Sequence, residues 1–226
     1  MNDTDNQPII EIFGVLYSTY GSQGWWPGDS RFEIILGAIL TQITTWHNVT
    51  LAIDNLKREG LLDPVTLFKA EPERVKTLIA PAGFFNVKYK RLRSVLEYLM
   101  KHDTDYGRFC YLPIADLRNE LLEINGIGPE TADSILLYAF DRPVFVVDAY
   151  TRRLFSRLGY RWMEKAAYEK IQKFFMEGLP SDSSLYNEFH ALIVAHCKIT
   201  CKKSPLCSAC ELSSSCLTCQ SLLSGS

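Results

Sequence analysis

The chain has no surplus of positive charge. Lys and Arg number 24 against 26 Asp and Glu, a formal net charge of -2 over 226 residues. Bulk electrostatics therefore do not draw it to nucleic acid, and any DNA contact has to come from local basic patches or backbone amides. Long apolar runs are also missing. Stretches such as Ile35 to Leu40 and Val144 to Val147 fall far short of the roughly 20 residues that a membrane span requires, so no membrane partner is expected. The start, Met1-Asn2-Asp3-Thr4-Asp5, is acidic and polar where a secretory leader would be basic and then apolar, which points to a cytoplasmic protein. Strand-like alternation is almost absent. A disulfide framework is disfavoured too: of seven cysteines, five lie between Cys201 and Cys219, and in a cytoplasmic setting that favours metal or cluster ligation.

What is present is helical. Hydrophobic residues make up 47% of the chain, enough for one substantial core or two small ones. They recur at helical spacing through Ile9 to Tyr17, Phe32 to Ile43, Val49 to Leu56, Val65 to Phe68, Val75 to Ile79, Leu92 to Met100 and Ile114 to Leu122. The pattern returns at Ala149 to Leu158, Ala166 to Met176 and Leu185 to His196. Breakers at Gly21 to Gly24, Gly60, Asp63-Pro64, Pro81-Ala82-Gly83 and Asp141-Arg142-Pro143 divide these into helices of ordinary length. The fold class is all-α. Val144-Phe145-Val146-Val147 has no partner strand in the sequence and reads as a buried extended connector that ends at Asp148.

The segment Leu121-Leu122-Glu123-Ile124-Asn125-Gly126-Ile127-Gly128-Pro129-Glu130-Thr131-Ala132 pairs a helix end with a two-glycine turn and a new helix start. Glycine admits positive φ and lets a ligand approach the backbone, and Pro129 suits a first helical turn. Amides exposed at such a turn make an anion site that needs no basic side chain. Eighteen residues beyond Glu130, the apolar connector delivers Asp148, and Ala149-Tyr150-Thr151-Arg152-Arg153-Leu154 opens another helix. Taken alone, an aspartate there is a helix N-cap.

Together these motifs resemble the endonuclease III-like superfamily of DNA glycosylases, which carry a helix-hairpin-helix, a Gly/Pro-rich loop and an aspartate, and the resemblance runs over nearly the whole chain. It implies that Asp148 is catalytic and that Asn125, Gly126, Ile127 and Gly128 bind backbone phosphate of double-stranded DNA. Members that also cut the strand carry a lysine two residues after the second hairpin glycine, whose amine forms a Schiff base with the sugar. This sequence has Glu130 there. The departure implies a monofunctional glycosylase, with Glu130 supporting the helix start. Asp148 would stabilise an oxocarbenium-like sugar or orient and deprotonate the attacking water, and the two roles stay open.

Trp25-Trp26-Pro27 and Trp46 resemble the base pocket of the type III 3-methyladenine DNA glycosylase branch, as does Pro81-Ala82-Gly83-Phe84-Phe85-Asn86-Val87-Lys88. Electron-rich indoles suit a cationic alkylated purine, which leaves without protonation. Tryptophans also serve as ordinary core. Gln42 lies where the family places a residue that fills the gap left by the extruded base. Lys88, with Lys90, Arg91 and Arg93, forms a short basic cluster that reads as a solvated helix face, with Lys88 a candidate DNA contact. Alternatives are a glycosylase for oxidised pyrimidines or mismatched bases, and a non-catalytic damage-binding module.

Cys201, Cys207, Cys210 and Cys216 give C-x5-C-x2-C-x5-C within sixteen residues. This resembles the single-loop [4Fe-4S] site of the family, whose first gap is usually one residue longer. Cys207, Cys210, Cys216 and Cys219 form an alternative quartet of two paired knuckles that suits zinc. Lys198, Lys202 and Lys203 border the loop, and Cys197 and Cys110 read as buried thiols. The resemblance further implies two helical domains with a DNA-binding cleft between them. One spans about 29–141 and contains the helix-hairpin-helix at about 115–140. The other is discontinuous, 1–28 and 142–226, with the cluster loop at 201–216. A monomer is expected.

Overall fold

A computed structural model of the chain describes residues 8–224. The acidic start, Met1 to Asp5, lies outside the described residues. Within them the fold is helical, without a strand, and no helix is long and apolar enough to cross a membrane. The chain divides into two compact units, one of Pro27–Arg142 and one of Met1–Trp26 with Pro143–Ser226, against the expected boundaries at 29 and 141.

The continuous unit carries α2 (Arg31–Leu40), α3 (Trp46–Arg58), α4 (Pro64–Lys69), α5 (Pro72–Ile79), α6 (Phe85–Lys101), α7 (Tyr106–Tyr111), α8 (Ile114–Glu123) and α9 (Pro129–Ser134). Short polar caps start most of them. Ser30, Thr45, Asp63, Glu71 and Asp105 each accept a first-turn amide, which satisfies donors that the helix itself leaves unpaired. Helix α6 begins well before the expected Leu92. The reason is Lys88, which occupies a position on the same buried stripe as Leu92, Val95, Leu96 and Leu99 and interrupts the apolar pattern that the sequence shows. Helix α2 ends at Leu40, short of the expected Ile43, because Ile43 turns to a φ of 56°.

The discontinuous unit carries α1 (Ile9–Tyr20), α10 (Ala149–Leu158), α11 (Tyr168–Gly178), α12 (Ser183–Ile199) and α13 (Leu217–Ser224). Its core is aromatic. Phe145 stacks on Phe175 at 4.1 Å, and Phe155 and Phe189 meet that pair edge-on. Phe13 of α1 sits edge-on to Phe189 at 5.4 Å and so ties the two ends of the chain together. The connector Val144 to Val147 is buried and belongs to no helix or strand, and Gln172 donates its side-chain amide to the Phe145 carbonyl at 2.8 Å. With no ladder to join, the connector borrows partners from neighbouring helices, as buried backbone must. It ends with Asp148 at the start of α10.

Candidate active site

The hairpin between α8 and α9 forms as the sequence predicts, though its two glycines do different work. Gly126 adopts a φ of 90°, and a Cβ placed on it would sit 2.2 Å from Cγ of Arg91. Both the left-handed backbone and the close approach of Arg91 therefore require glycine there. Gly128 has a φ of -96° and open space around it. Ile127 turns inward: its side chain is buried and its amide donates to the Ile124 carbonyl at 3.0 Å. Asn125 and Gly128 are exposed.

Gln42 is joined to this hairpin. Its amide nitrogen donates to Thr131 Oγ1 at 2.9 Å and to the Gly126 carbonyl at 3.3 Å, while its oxygen accepts from Arg91. Next to it, Ile43 is 86% exposed at positive φ. Phe84, which opens α6, is 67% exposed with a φ of 46°. A branched or bulky residue held in the left-handed region carries backbone strain, which clusters at functional sites. The sequence pattern did not single out either tip, since exposure and φ are tertiary facts.

Lys88 corrects the reading of a solvated basic face. It is 1% exposed, and its Nζ donates to the carbonyls of Leu40 at 2.8 Å and Ala82 at 2.7 Å. An ammonium so enclosed has no surface with which to meet a phosphate. It instead joins the end of α2 to the turn before Phe84, and so braces the two segments that present Ile43 and Phe84. Burial, with Arg91 nearby, lowers its pKa to about 8.

In the other unit, Asp148 is the N-cap of α10. Its Oδ1 accepts from the Thr151 amide at 2.7 Å and from the Thr151 hydroxyl at 3.0 Å. Its Oδ2 lies 3.5 Å from Nε2 of His190 on α12, and the side chains of His190 and Asp148 are 6% and 12% exposed. Burial opposes the charge, but His190 and the Thr151 contacts outweigh it and hold the carboxyl below its ordinary range. The site thus offers an ionised, oriented carboxylate in a largely dry setting. His190 went unnoticed in the sequence because it lies 42 positions from Asp148 inside an ordinary helical pattern.

Trp25 and Trp26 pack edge to face at 5.5 Å, both half-buried. The segment leading to them is pinned by Glu188 of α12, which accepts from the Gln23 amide at 2.7 Å and from the Ser22 hydroxyl at 3.1 Å. Lys198 places its ammonium 5.9 Å from the Trp25 ring centroid. Trp46 belongs to the continuous unit, where it is half-buried at the first position of α3, capped by Thr45.

The profile of the HhH-GPD superfamily base excision DNA repair proteins matches residues 36–181. The chain belongs to this superfamily, and it is a base excision repair DNA glycosylase. It is 48% identical over 223 residues to a provisionally named DNA repair glycosylase of Methanocaldococcus jannaschii, covering 96% of this chain and 100% of that protein. Endonuclease III of Sulfolobus acidocaldarius is 31% identical over 187 residues, 82% of this chain and 81% of that protein. Among solved structures, the 3-methyladenine DNA glycosylase of H. pylori bound to 1,N6-ethenoadenine aligns with a TM-score of 0.74 at 29% identity, over 85% of this chain and 98% of that one.

The cysteine tail of this glycosylase folds back on α10 and α12. Cys201, Cys207, Cys210, Cys216 and Cys219 line one pocket with Leu154, Arg157, Leu158, His196 and Leu212. Hydrogen bonds from Cys197 and from the Arg157 guanidinium lower the Cys201 thiol below its ordinary range. Burial pushes the Cys210 and Cys219 thiols up. Arg157 also donates to the carbonyls of Lys202 at 2.6 Å and Lys203 at 3.1 Å, which ties the loop to α10. No three His, Cys, Asp or Glu among the described residues converge closely enough for a single ion. Thiols gathered around one pocket are the donor chemistry that an iron-sulfur group takes. Cys197 is buried as expected, whereas Cys110 is only half-buried.

Proposed function

We propose that this glycosylase is monofunctional, hydrolysing the N-glycosidic bond of an extruded damaged base and leaving an abasic site. The observation that carries the reading is Asp148: a carboxylate kept ionised despite burial, with Thr151 and His190 on its two oxygens. Such a group stabilises positive charge developing on the sugar and orients the attacking water. Glu130, in the first turn of α9, offers no amine for a Schiff base.

Phosphate contact falls to the exposed part of the hairpin, Asn125 and Gly128, with Gly126 shaping the turn and the inward-facing Ile127 anchoring it. Gln42, held by Thr131 and Arg91, serves this reading as a brace for the hairpin as well as a residue facing the vacated base stack. Ile43 and Phe84 are apolar tips of the kind that enter a stack once a base has left. Cys201, Cys207, Cys210 and Cys216 would hold a [4Fe-4S] cluster, whose role when bound is to order the loop carrying Lys202 and Lys203.

For the base, the paired tryptophans and the likeness to the H. pylori enzyme support an alkylated purine such as 3-methyladenine. One observation favours a second reading. The Lys198 ammonium already faces Trp25, and like charge disfavours a cationic base on that ring. A neutral base, an oxidised pyrimidine or a mismatched one, meets no such repulsion. Excision from duplexes each containing one lesion separates the two: 3-methyladenine and 1,N6-ethenoadenine against thymine glycol, and uracil or thymine opposite guanine. Products are compared before and after alkali. Strand cleavage before alkali would contradict the monofunctional reading, and turnover of only the neutral bases would replace the alkylated purine.

A further inference from the structure

We infer that His190 is a positioning residue for bond cleavage, acting through the Asp148 carboxylate; the inference rests on the reading of Asp148 as the catalytic group. Two equivalent carboxylate oxygens face different surroundings here. Both contacts from Thr151, its amide and its hydroxyl, fall on Oδ1. That cap locates Oδ1 but not the plane of the carboxylate, which by itself can still tilt about its last bond. His190 supplies a second point. Its Nε2 stands 3.5 Å from Oδ2, so that with Thr151 on Oδ1 both oxygens are located, which limits the directions left open to the sugar and to water.

The histidine is itself held. Tyr186 and Phe189, on the same helix, are fully buried in the aromatic core, and the Gln23 amide engages Glu188 two residues before it. The imidazole is therefore carried on a helix anchored in the core, and it meets Asp148 where the connector passes into α10. Positioning a reacting group from a rigid element is worth more than a contact made by a mobile one. The bland alternative is a buried histidine that merely uses Asp148 as its own partner. That alternative predicts a loss of stability but no dependence of the kinetic effect on Asp148.

The test is single-turnover excision by the full chain, using the fastest lesion of the panel above, for His190→Leu, His190→Gln, Asp148→Asn and the Asp148→Asn/His190→Leu double variant. Affinity is read in parallel on a duplex containing a tetrahydrofuran abasic analogue, and folding by thermal melting. His190→Leu is expected to slow excision about 30-fold, and His190→Gln, whose amide can donate toward Oδ2, only about fivefold. Affinity for the analogue is expected to stay within about threefold, and on the Asp148→Asn background His190→Leu is expected to add less than about twofold. Where leucine unfolds the chain, His190→Asn replaces it: the same amide, one methylene too short, is expected to be slow where glutamine is fast.

A His190→Leu or His190→Asn rate equal to that of the native chain overturns the inference, as does an equal loss with and without Asp148. Near-normal excision by Asp148→Asn instead removes Asp148 from the mechanism and takes the positioning role with it. Slow Asp148→Asn beside unaffected His190 variants sinks only the role of His190.

Discussion

Arg118 and Asp133 form a two-pronged ion pair inside the helix-hairpin-helix, Nε to Oδ1 at 2.7 Å and Nη2 to Oδ2 at 3.1 Å. The pair joins α8 to α9 across the turn that carries Gly126 and Gly128, and the Asp133 side chain is wholly buried. Removing one partner of a buried pair leaves the other charge uncompensated. Asp133→Ala should therefore destabilise the chain by about 3 kcal/mol, read from urea unfolding. A change below about 1 kcal/mol would show that water replaces the carboxylate without penalty.

Asp148→Asn keeps an oxygen for the Thr151 cap but loses the charge. Single-turnover excision is expected to fall at least ~100-fold, about 2.7 kcal/mol of barrier, with DNA affinity nearly intact. Gel-shift and quenched-time-course measurements on one lesion duplex give both quantities.

Lys88 provides a test of burial against charge. If its ammonium braces α2 and the turn before Phe84, Lys88→Met changes melting temperature but leaves the slope of log affinity against log salt as it was. A slope smaller by about one would mean that Lys88 neutralises a phosphate after all.

Glu130 is expected to be dispensable for chemistry. Glu130→Gln should excise within about threefold of the native rate, since its first-turn charge is worth only a fraction of a kcal/mol to the helix. Borohydride should trap no covalent DNA adduct with the native chain. A trapped adduct would reveal an amine nucleophile elsewhere.

Acid should loosen the junction of α6, α7 and α8. Arg108 donates to both oxygens of Glu120, at 2.7 and 2.8 Å, and Tyr98 donates to one of them at 2.6 Å. These hydrogen bonds, that of Arg108 first, lower the Glu120 pKa from 4.5 to about 2. A carboxyl depressed in the folded state contributes stability that is fully present above its unfolded pKa and lost as pH falls through the folded one. Melting temperature should therefore fall between pH 4.5 and about 2, and Glu120→Gln should flatten its part of that fall. Identical pH profiles for the two proteins would rule the contribution out.

Much of this was legible along the chain because local chemistry decides it. Helix periods, the Asp148 cap, the Gly126 turn and Pro129 at a helix start all follow from neighbouring residues. The same holds for the cysteine spacing, which brings five thiols to one pocket. Lys88 misled because a lysine reads as solvated wherever it occurs, and only its register with Leu92 and Leu96 betrays a core position. The brace from Gln42 to Thr131 spans 89 residues, so no local pattern could reveal it.

The sequence alone determined the helical class, the glutamate rather than lysine at position 130, and, through short-range backbone preferences, the helix-hairpin-helix and the placing of Asp148 at a helix start. Tertiary structure decided what surrounds them. It faced His190 toward one oxygen of Asp148, buried the Lys88 ammonium between two carbonyls, and exposed Ile43 and Phe84 at strained positions. Those outcomes depend on packing between distant segments, where burial and desolvation, absent from any local window, set the energies.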